Sequence, residues 1–561
     1  MSHPEKAATP VLIVGAGPVG LLLGLQLQRL GIPHRLIEKR LQRQTFSKAF
    51  AIHSRSMEVL EDLGLLEQLL ERAVRVAQMN IYSNRRRLIT CDLGKLDVPY
   101  PFTASIPQNA VEEILETRYL QSGGHIERGT ELLELTQDEH FVYAILRDGQ
   151  ARQQHLECSL VVGCDGGQSH VRKESGTAFE GGNYPRPYII ADGTLAWNGD
   201  NGSGHVFTSG DGYMMLFPLP EGRHRVVIDC EDLTLTSADL DIDRVNARLH
   251  QRGFNDITLS DPVWLSVTTF QHRLAERYRS GRVFLAGDAC HVHSPIGGQG
   301  LNTGLQDAYN LSWKIAHVLN YDASPALLDS YQAERRPVAQ TVLKNTNQQM
   351  RMLNMENPLL RFLRDAVVPR LATTRRFQER IVKQATGFQI DYQASPLSTP
   401  AASAANTGPA AGQRMPDGPV RERSGKARRL FELLKGTHYS LLIFEGQSTG
   451  SAGRLEQISR ALETANRPGS LLRSYLMRGP ATITTSASRG FESRYDITNA
   501  LRAQLGVEHG GLFLVRPDGY LAIRCELTEV EQLERYFSRF YPAASVVRFP
   551  CEAPTALPAG A

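Results

Sequence analysis

Three glycines near the start of the chain could serve chemistry by having no side chain. Gly15, Gly17 and Gly20 stand in Gly15-Ala16-Gly17-Pro18-Val19-Gly20, directly after a short apolar run at residues 11–14 and at the head of a stretch of helix formers. Gly15 permits a tight turn, Gly17 lets backbone N–H groups approach a pyrophosphate, and Gly20 allows close packing of helix on strand. The N-terminus of a helix that begins at Pro18 favours phosphate charge. Glu38 ends the next strand-like run, near the ~20-residue spacing expected of an acid that holds a ribose. Together these residues predict a dinucleotide site, and by themselves they do not separate FAD from NAD.

A second constellation does separate them. Gly287-Asp288 follows the apolar run RVFLA (residues 282–286), and Pro295-Ile296-Gly297-Gly298-Gln299-Gly300-Leu301-Asn302 comes next. An aspartate at a strand end can accept hydrogen bonds from a polyol chain. The glycines let backbone N–H groups approach a planar ring, and the positive end of the following helix can stabilise charge on a reduced flavin. His291 and His293 lie between the two parts. No HxxxH helix or paired-cysteine spacing accompanies them, so no metal is expected and they are read as hydrogen-bonding groups around Asp288.

These groups need elements to hold them. Residues 11–38 read as strand, glycine turn, helix and strand, a βαβ pattern. From 178 to 275, apolar runs separated by Gly, Asp and Asn read as antiparallel strands of an inserted domain. Residues 282–286 return to a buried strand, followed by a helix over 301–319 and polar helical sequence over 325–390. Residues 394–412 are rich in Ala, Ser, Pro, Thr and Gly, the composition of a linker. Beyond it lie strand candidates at 440–444 and 512–515 and a helix around 529–540. The expected domains are 1–177 with 276–390 for the cofactor, 178–275 for a substrate, a linker at 391–412, and 413–561.

The segment GDACHVHSPIGGQGLNTGLQDAYNLSWKIA resembles the second FAD fingerprint of the single-component FAD-dependent aromatic hydroxylases, and is most similar to the phenol hydroxylase branch. That resemblance covers most of the chain. It implies an α/β fold: a Rossmann-type FAD-binding domain, an inserted antiparallel-sheet substrate domain and a thioredoxin-like C-terminal domain. By the same resemblance Asp288 binds the ribityl chain, and Pro295, Gly298, Gly300, Leu301 and Asn302 lie against the flavin ring. Asp165-Gly166-Gly167-Gln168-Ser169-His170-Val171-Arg172 resembles the family's DG motif, associated with FAD and the nicotinamide donor. Gln108 matches a position that touches FAD, and Arg55 falls in a segment (SRSME) where an arginine nears it. Lys39 and Lys48 stand where relatives carry arginine, and a lysine keeps the charge without the bidentate fork.

The implied reaction uses NADPH or NADH as a transient donor and O2, and hydroxylates a phenolic, polycyclic or polyketide-like aromatic through a flavin C4a-hydroperoxide. The same scaffold could instead perform Baeyer–Villiger insertion or epoxidation, or act as a non-catalytic flavin-binding protein. Candidates for the substrate cavity are His53, Tyr213, Arg273 and Pro295. The phenol-hydroxylase aspartate would fall near Phe50, where this chain has no acid. The C-terminal region contains Cys525 and Cys551 without a CxxC pair, so dithiol chemistry is excluded and a packing or homodimer role is expected.

Composition fits this picture. The chain has 561 residues, 41% of them hydrophobic and 22% charged, as in an ordinary globular protein. Its 62 basic residues barely exceed its 59 acidic ones, which gives no argument for nucleic acid or a membrane surface. Seven scattered cysteines and no signal-like or membrane-length apolar run predict a cytoplasmic protein without disulfides.

Overall fold

The computed structural model describes residues 9–45, 49–210, 212–400, 408–445, 451–462, 470–479, 492–496, 498–507 and 510–542. Its contacts divide into two compact units, residues 1–312 with 335–389, and residues 313–334 with 390–561. No helix among the described residues is long and apolar enough to cross a membrane.

In the first unit, Thr9–Val14 lies inside an 8-stranded sheet, and Val11, Leu12 and Ile13 have no exposed surface. A strand covered on both faces reads as an unbroken apolar run, as parallel strands under helices do. It runs parallel to His34–Glu38 on one side and to Gln153–Gly163 on the other. Ile126–Arg128 and Val283–Leu285 extend the parallel order outward. The first crossover is the helix Pro18–Arg29, so the glycine turn sits at the C-terminal edge of this sheet.

A 7-stranded sheet in the same unit has the spatial order Thr258–Thr268, Tyr188–Ala196, Arg223–Asp229, Gly212–Pro218, Gly204–Ser209, Gln78–Ser83 and Arg86–Asp92. The last two strands come from outside 178–275. Successive residues of Gly212–Pro218 enter different cores. Met214 and Leu216 join Ile189, Val226 and Ile228 with Val245 and Leu249 of the helix Ile242–Gln251, while Tyr213 and Met215 join Tyr188, Phe270 and Ile296. The period of two is present, but both faces are buried, so the run is apolar throughout.

In the second unit, Tyr439–Phe444 pairs in parallel with Leu472–Arg478 and antiparallel with Gly511–Val515, which turns back into Leu521–Cys525. The helices Ser451–Leu462 and Glu531–Ser538 follow the first strand and the hairpin. This is the thioredoxin-like core that the resemblance implies. Its apolar centre also takes in Trp313 and Leu327, beside Tyr439, Leu441 and Phe537.

A buried charge cluster organises this second unit. Arg516 grips Glu334 with two bonds (2.6 and 2.9 Å), Lys314 reaches the same carboxylate at 2.7 Å, and Ser395 donates to it at 2.5 Å. Asp518 completes the set on Arg516 at 3.0 Å and accepts from the Trp313 indole at 3.2 Å. Burial alone would raise the Glu334 carboxyl, but Arg516 and Lys314 override it and hold it far below its ordinary value. Glu334→Ala would leave two buried cations short of a partner, and urea denaturation at pH 7 should show a loss of about 3–5 kcal/mol. A folded-state pKa that is depressed stabilises above the unfolded value of 4.5 and is lost below it. The gap between the two proteins should therefore narrow by about 1 kcal/mol at one pH unit below that value.

Candidate functional site

The C-terminal ends of the parallel strands open on a cleft of about 1030 Å³. Loops at that edge of an open α/β sheet supply a ligand site, because strand ends and helix N-termini converge there. Gly15, Gly17, Pro18, Glu38, Lys39, Gln108, Asp165, Asp288, Pro295, Gly298, Gly300 and Leu301 all line it.

The three glycines differ in why each must lack a side chain. Gly15 has φ +106°, and a Cβ there would lie 2.5 Å from the Cys164 carbonyl oxygen. A Cβ on Gly20 would run into the carbonyl of Gly15. Both are demanded by the protein's own packing. A Cβ on Gly17 would meet nothing within 4 Å, yet Gly17 lines the cleft, so its bare backbone faces open space at the helix N-terminus. Such a position fits a phosphate held by backbone N–H groups. Glu38 accepts from the N–H groups of Ala16 and Arg40, each at 3.0 Å, and so braces the turn as well as lining the cleft.

Asp165 accepts at one oxygen from the His170 and Val171 N–H groups (2.6 and 3.1 Å), which caps the helix His170–Glu174. Its other oxygen is buried without a protein partner, although the residue lines the cleft. A buried acceptor left over in a polar cleft fits a ligand donor such as a hydroxyl. Arg172, whose fork could have served a phosphate, instead donates to the carbonyls of Ala289 (2.8 Å) and Gly167 (3.0 Å). It stitches the Asp165 turn to the Asp288 turn.

Asp288 sits on a turn fixed from below by Asp307, a fully buried residue that the sequence reading did not single out. Asp307 accepts from the Gly287 N–H at 3.1 Å, binds His291 Nε2 at 2.7 Å and pairs with Arg335 at 2.7 Å. Burial would raise its carboxyl; Arg335 and His291 hold it below its ordinary value. Cys290, His291 and Asp307 are close enough to hold an ion, but these hydrogen bonds already employ the carboxylate and one imidazole nitrogen.

Asn302 and His53 brace the neighbouring turn. Asn302 donates to the carbonyls of Ala51 (2.8 Å) and Gly298 (2.6 Å) and accepts from the His53 N–H at 2.8 Å. Gly298, at φ +60°, lets the helix Gln299–Asn320 start beside Ala51 and His53. Burial pulls the imidazoles of His53 and His293 down to about 4, so both are uncharged at neutral pH.

Other sequence candidates stand apart from the lining. Tyr213 is fully buried, with its hydroxyl toward the Met350 sulfur, and burial raises it well above its ordinary value. Arg273 points its guanidinium at Phe179 and Asn183. Arg55 pairs with Glu58 at 2.8 Å in the interior. Lys48 lies outside the described residues. The sequence reading missed a basic rim, Arg40, Arg43, Arg128 and Lys173, and an aromatic end, Phe50, Trp264 and Phe270. Arg128 had a signal, since it ends a parallel strand next to the one that Glu38 ends.

The contrast between glycines is testable. Gly17→Val should leave the fold's melting temperature unchanged without cofactor and weaken FAD binding by at least about tenfold, since its side chain projects into the cleft. Gly15→Ala should destabilise the fold itself, because both φ and the Cys164 contact oppose a Cβ. Calorimetry with and without FAD separates the two.

Comparison with known proteins bears on the identity of this cleft. Residues 8–346 match the family model "FAD binding domain", and residues 492–545 match "Phenol hydroxylase, C-terminal dimerisation domain". The chain is 34% identical to 6-methylpretetramide 4-monooxygenase of Streptomyces rimosus, over 93% of this chain and 91% of that protein. It is 31% identical to pentachlorophenol 4-monooxygenase of Sphingobium chlorophenolicum, over 93% and 95%. Among solved structures, OxyS anhydrotetracycline hydroxylase from Streptomyces rimosus aligns with TM-score 0.74 and 30% identity, over 95% of this chain and 99% of that one. The chain therefore belongs to the FAD-dependent aromatic monooxygenases, with FAD as its cofactor and NADPH or NADH as its co-substrate.

Proposed function

We propose that the chain hydroxylates a phenolic or polycyclic, polyketide-like aromatic at the end of the cleft bounded by Phe50, Trp264, Phe270 and Pro295. One observation carries this reading. A single cleft brings together bare glycine backbone at a helix N-terminus, basic side chains (Lys39, Arg40, Arg43, Arg128 and Lys173) interleaved with Glu38, Glu112 and Glu131, the aromatic rings of Phe50, Trp264 and Phe270, and the turn from Pro295 to Leu301. When bound and reduced by NADPH or NADH, FAD supplies activation of dioxygen, one atom of which enters the ring while the other leaves as water.

The chain's own residues do the rest. Gly17 and the helix at Pro18 would hold the diphosphate, and Lys39 and Arg40 would add positive charge there. Asp288 would accept from hydroxyls of the bound cofactor, and the unsatisfied Asp165 oxygen would take one further donor. The N-terminus of the helix Gln299–Asn320 faces developing negative charge with its partial positive end. Phe50 and Phe270 exclude water from the substrate ring, and Phe217 backs Phe50 with ring centroids 5.0 Å apart. A polyketide-like substrate agrees with relatives named for tetracycline-type molecules. A homodimer agrees with the match at 492–545, and a cytoplasmic location with six free cysteines among the described residues.

Asp288→Ala should weaken FAD binding roughly 5- to 150-fold in a titration of flavin absorbance, the cost of losing hydrogen bonds from ligand hydroxyls to a charged carboxylate. Trp264→Ala should keep one FAD per chain but raise KM for the aromatic. Phenolic and polycyclic compounds should be screened for stimulated NADPH oxidation with oxygen appearing in the product. In stopped flow, the true substrate should speed flavin reduction, because substrate favours one of two states and only that state meets the donor. Unchanged NADPH oxidation across such a panel would remove the substrate reading.

A further inference from the structure

The charge balance of the whole chain hides a local concentration. Residues 351–383 hold eight basic and three acidic residues, whereas the rest of the chain is slightly acidic. The same segment is apolar on the outside. Of the twelve large hydrophobic residues that stand exposed among the described residues, seven fall between 352 and 371. Isolated exposed apolar residues need no explanation; a cluster does.

The helix Pro358–Ala372 is inverted relative to an ordinary surface helix. Leu359, Leu363, Val367 and Leu371 follow one another at i+4 and all face solvent, with Leu359 65% exposed and Phe362 beside them 69% exposed. The polar residues turn inward instead. Arg364 donates to Ser83 and Thr208 (3.0 and 3.2 Å), and Asp365 accepts from Ser83 at 2.5 Å. Arg361 lies over Gly210, where an added Cβ would be 2.6 Å from its guanidinium. Ordinary amphipathic helices bury the apolar stripe and expose the charges. Here the fold uses the charges for anchoring and leaves the stripe outward, rimmed by exposed Arg351, Arg370, Arg376 and Lys383.

We propose that this face lies on the surface of an anionic phospholipid bilayer, without spanning it. An apolar stripe with a cationic rim matches both parts of such a surface, acyl boundary and headgroup charge. A second copy of the chain matches only one part. A two-fold contact sets the same patch against itself, and the basic rim would then meet a basic rim. The inference does not depend on the reaction proposed above, because none of these residues lines the cleft.

Flotation of the full-length, FAD-loaded protein with vesicles tests it. Mixed phosphatidylglycerol and phosphatidylcholine vesicles should carry the protein upward at low salt, and phosphatidylcholine alone at least about tenfold less. The double variant Phe362→Glu with Leu363→Glu should lose at least about tenfold in partition to the anionic vesicles, with unchanged flavin spectrum and melting temperature. Failure of the protein to float with anionic vesicles, or equal flotation of the variant, overturns the proposal. So does light scattering in which the protein is a larger oligomer than the double variant, which would assign the face to a second copy.

Discussion

Asp307 has no access to water, so its charge must be answered in full by the protein. Stripping a carboxylate of solvent costs several kcal/mol, and only a complete set of donors in good geometry offsets it. That set is Arg335, His291 and the Gly287 N–H, drawn from the helix Ala326–Leu353 and from the turn that follows Val283–Leu285. A donor that moved away would leave a buried charge uncompensated. The carboxylate thereby dictates the path of the Gly287–Asp288 turn and the direction in which Asp288 meets the cleft. Arg172 extends the constraint from Ala289 to Gly167, and Asn302 extends it from Gly298 to residues 51–53. The loops of the cleft are thus fastened to each other by buried bonds.

This arrangement separates what the sequence makes legible from what it hides. The glycine turn was readable because its constraints are local: a positive φ, a helix start and a strand end lie within six residues. The thioredoxin-like core was readable from short apolar strands and the resemblance. The roles of individual polar residues were harder. Asn302 and Arg172 stand in motifs associated with the cofactor, yet their bonds run to protein carbonyls. Nothing in a linear motif tells a residue that touches a ligand from one that holds the residue that does. Asp307 was invisible because its partners, His291, Gly287 and Arg335, lie 16, 20 and 28 residues away in sequence. Tyr213 shows a related limit: alternation correctly puts it on one face with Met215, but cannot say on which side of that face the cleft opens. Composition misleads in its own way in the described part of the stretch 394–412, residues 394–400 and 408–412. Leu397 is fully buried, and the core of the same unit takes in Trp313 and Leu327 from far upstream.

The aromatic end of the cleft illustrates how charge can be spent on shape. Arg225 is buried beneath it, with its guanidinium 5.2 Å from the Phe50 ring centre and 5.1 Å from that of Trp264. A lone cation there would impose a strong field on any ring bound above. Asp192 removes that field by a two-bond grip at 2.7 Å each. What remains is a flat, hydrogen-bonded guanidinium within cation–π range of two aromatic side chains. A leucine could fill the volume but could not span both rings from a strand, and a lysine could not lie flat against either. The guanidinium therefore accounts for a buried ion pair in a region that is otherwise apolar. It also places the task of answering charge elsewhere, at the N-terminus of the helix Gln299–Asn320, because the uncharged His293 donates from Nδ1 to the Ser294 carbonyl and is left with an acceptor at Nε2.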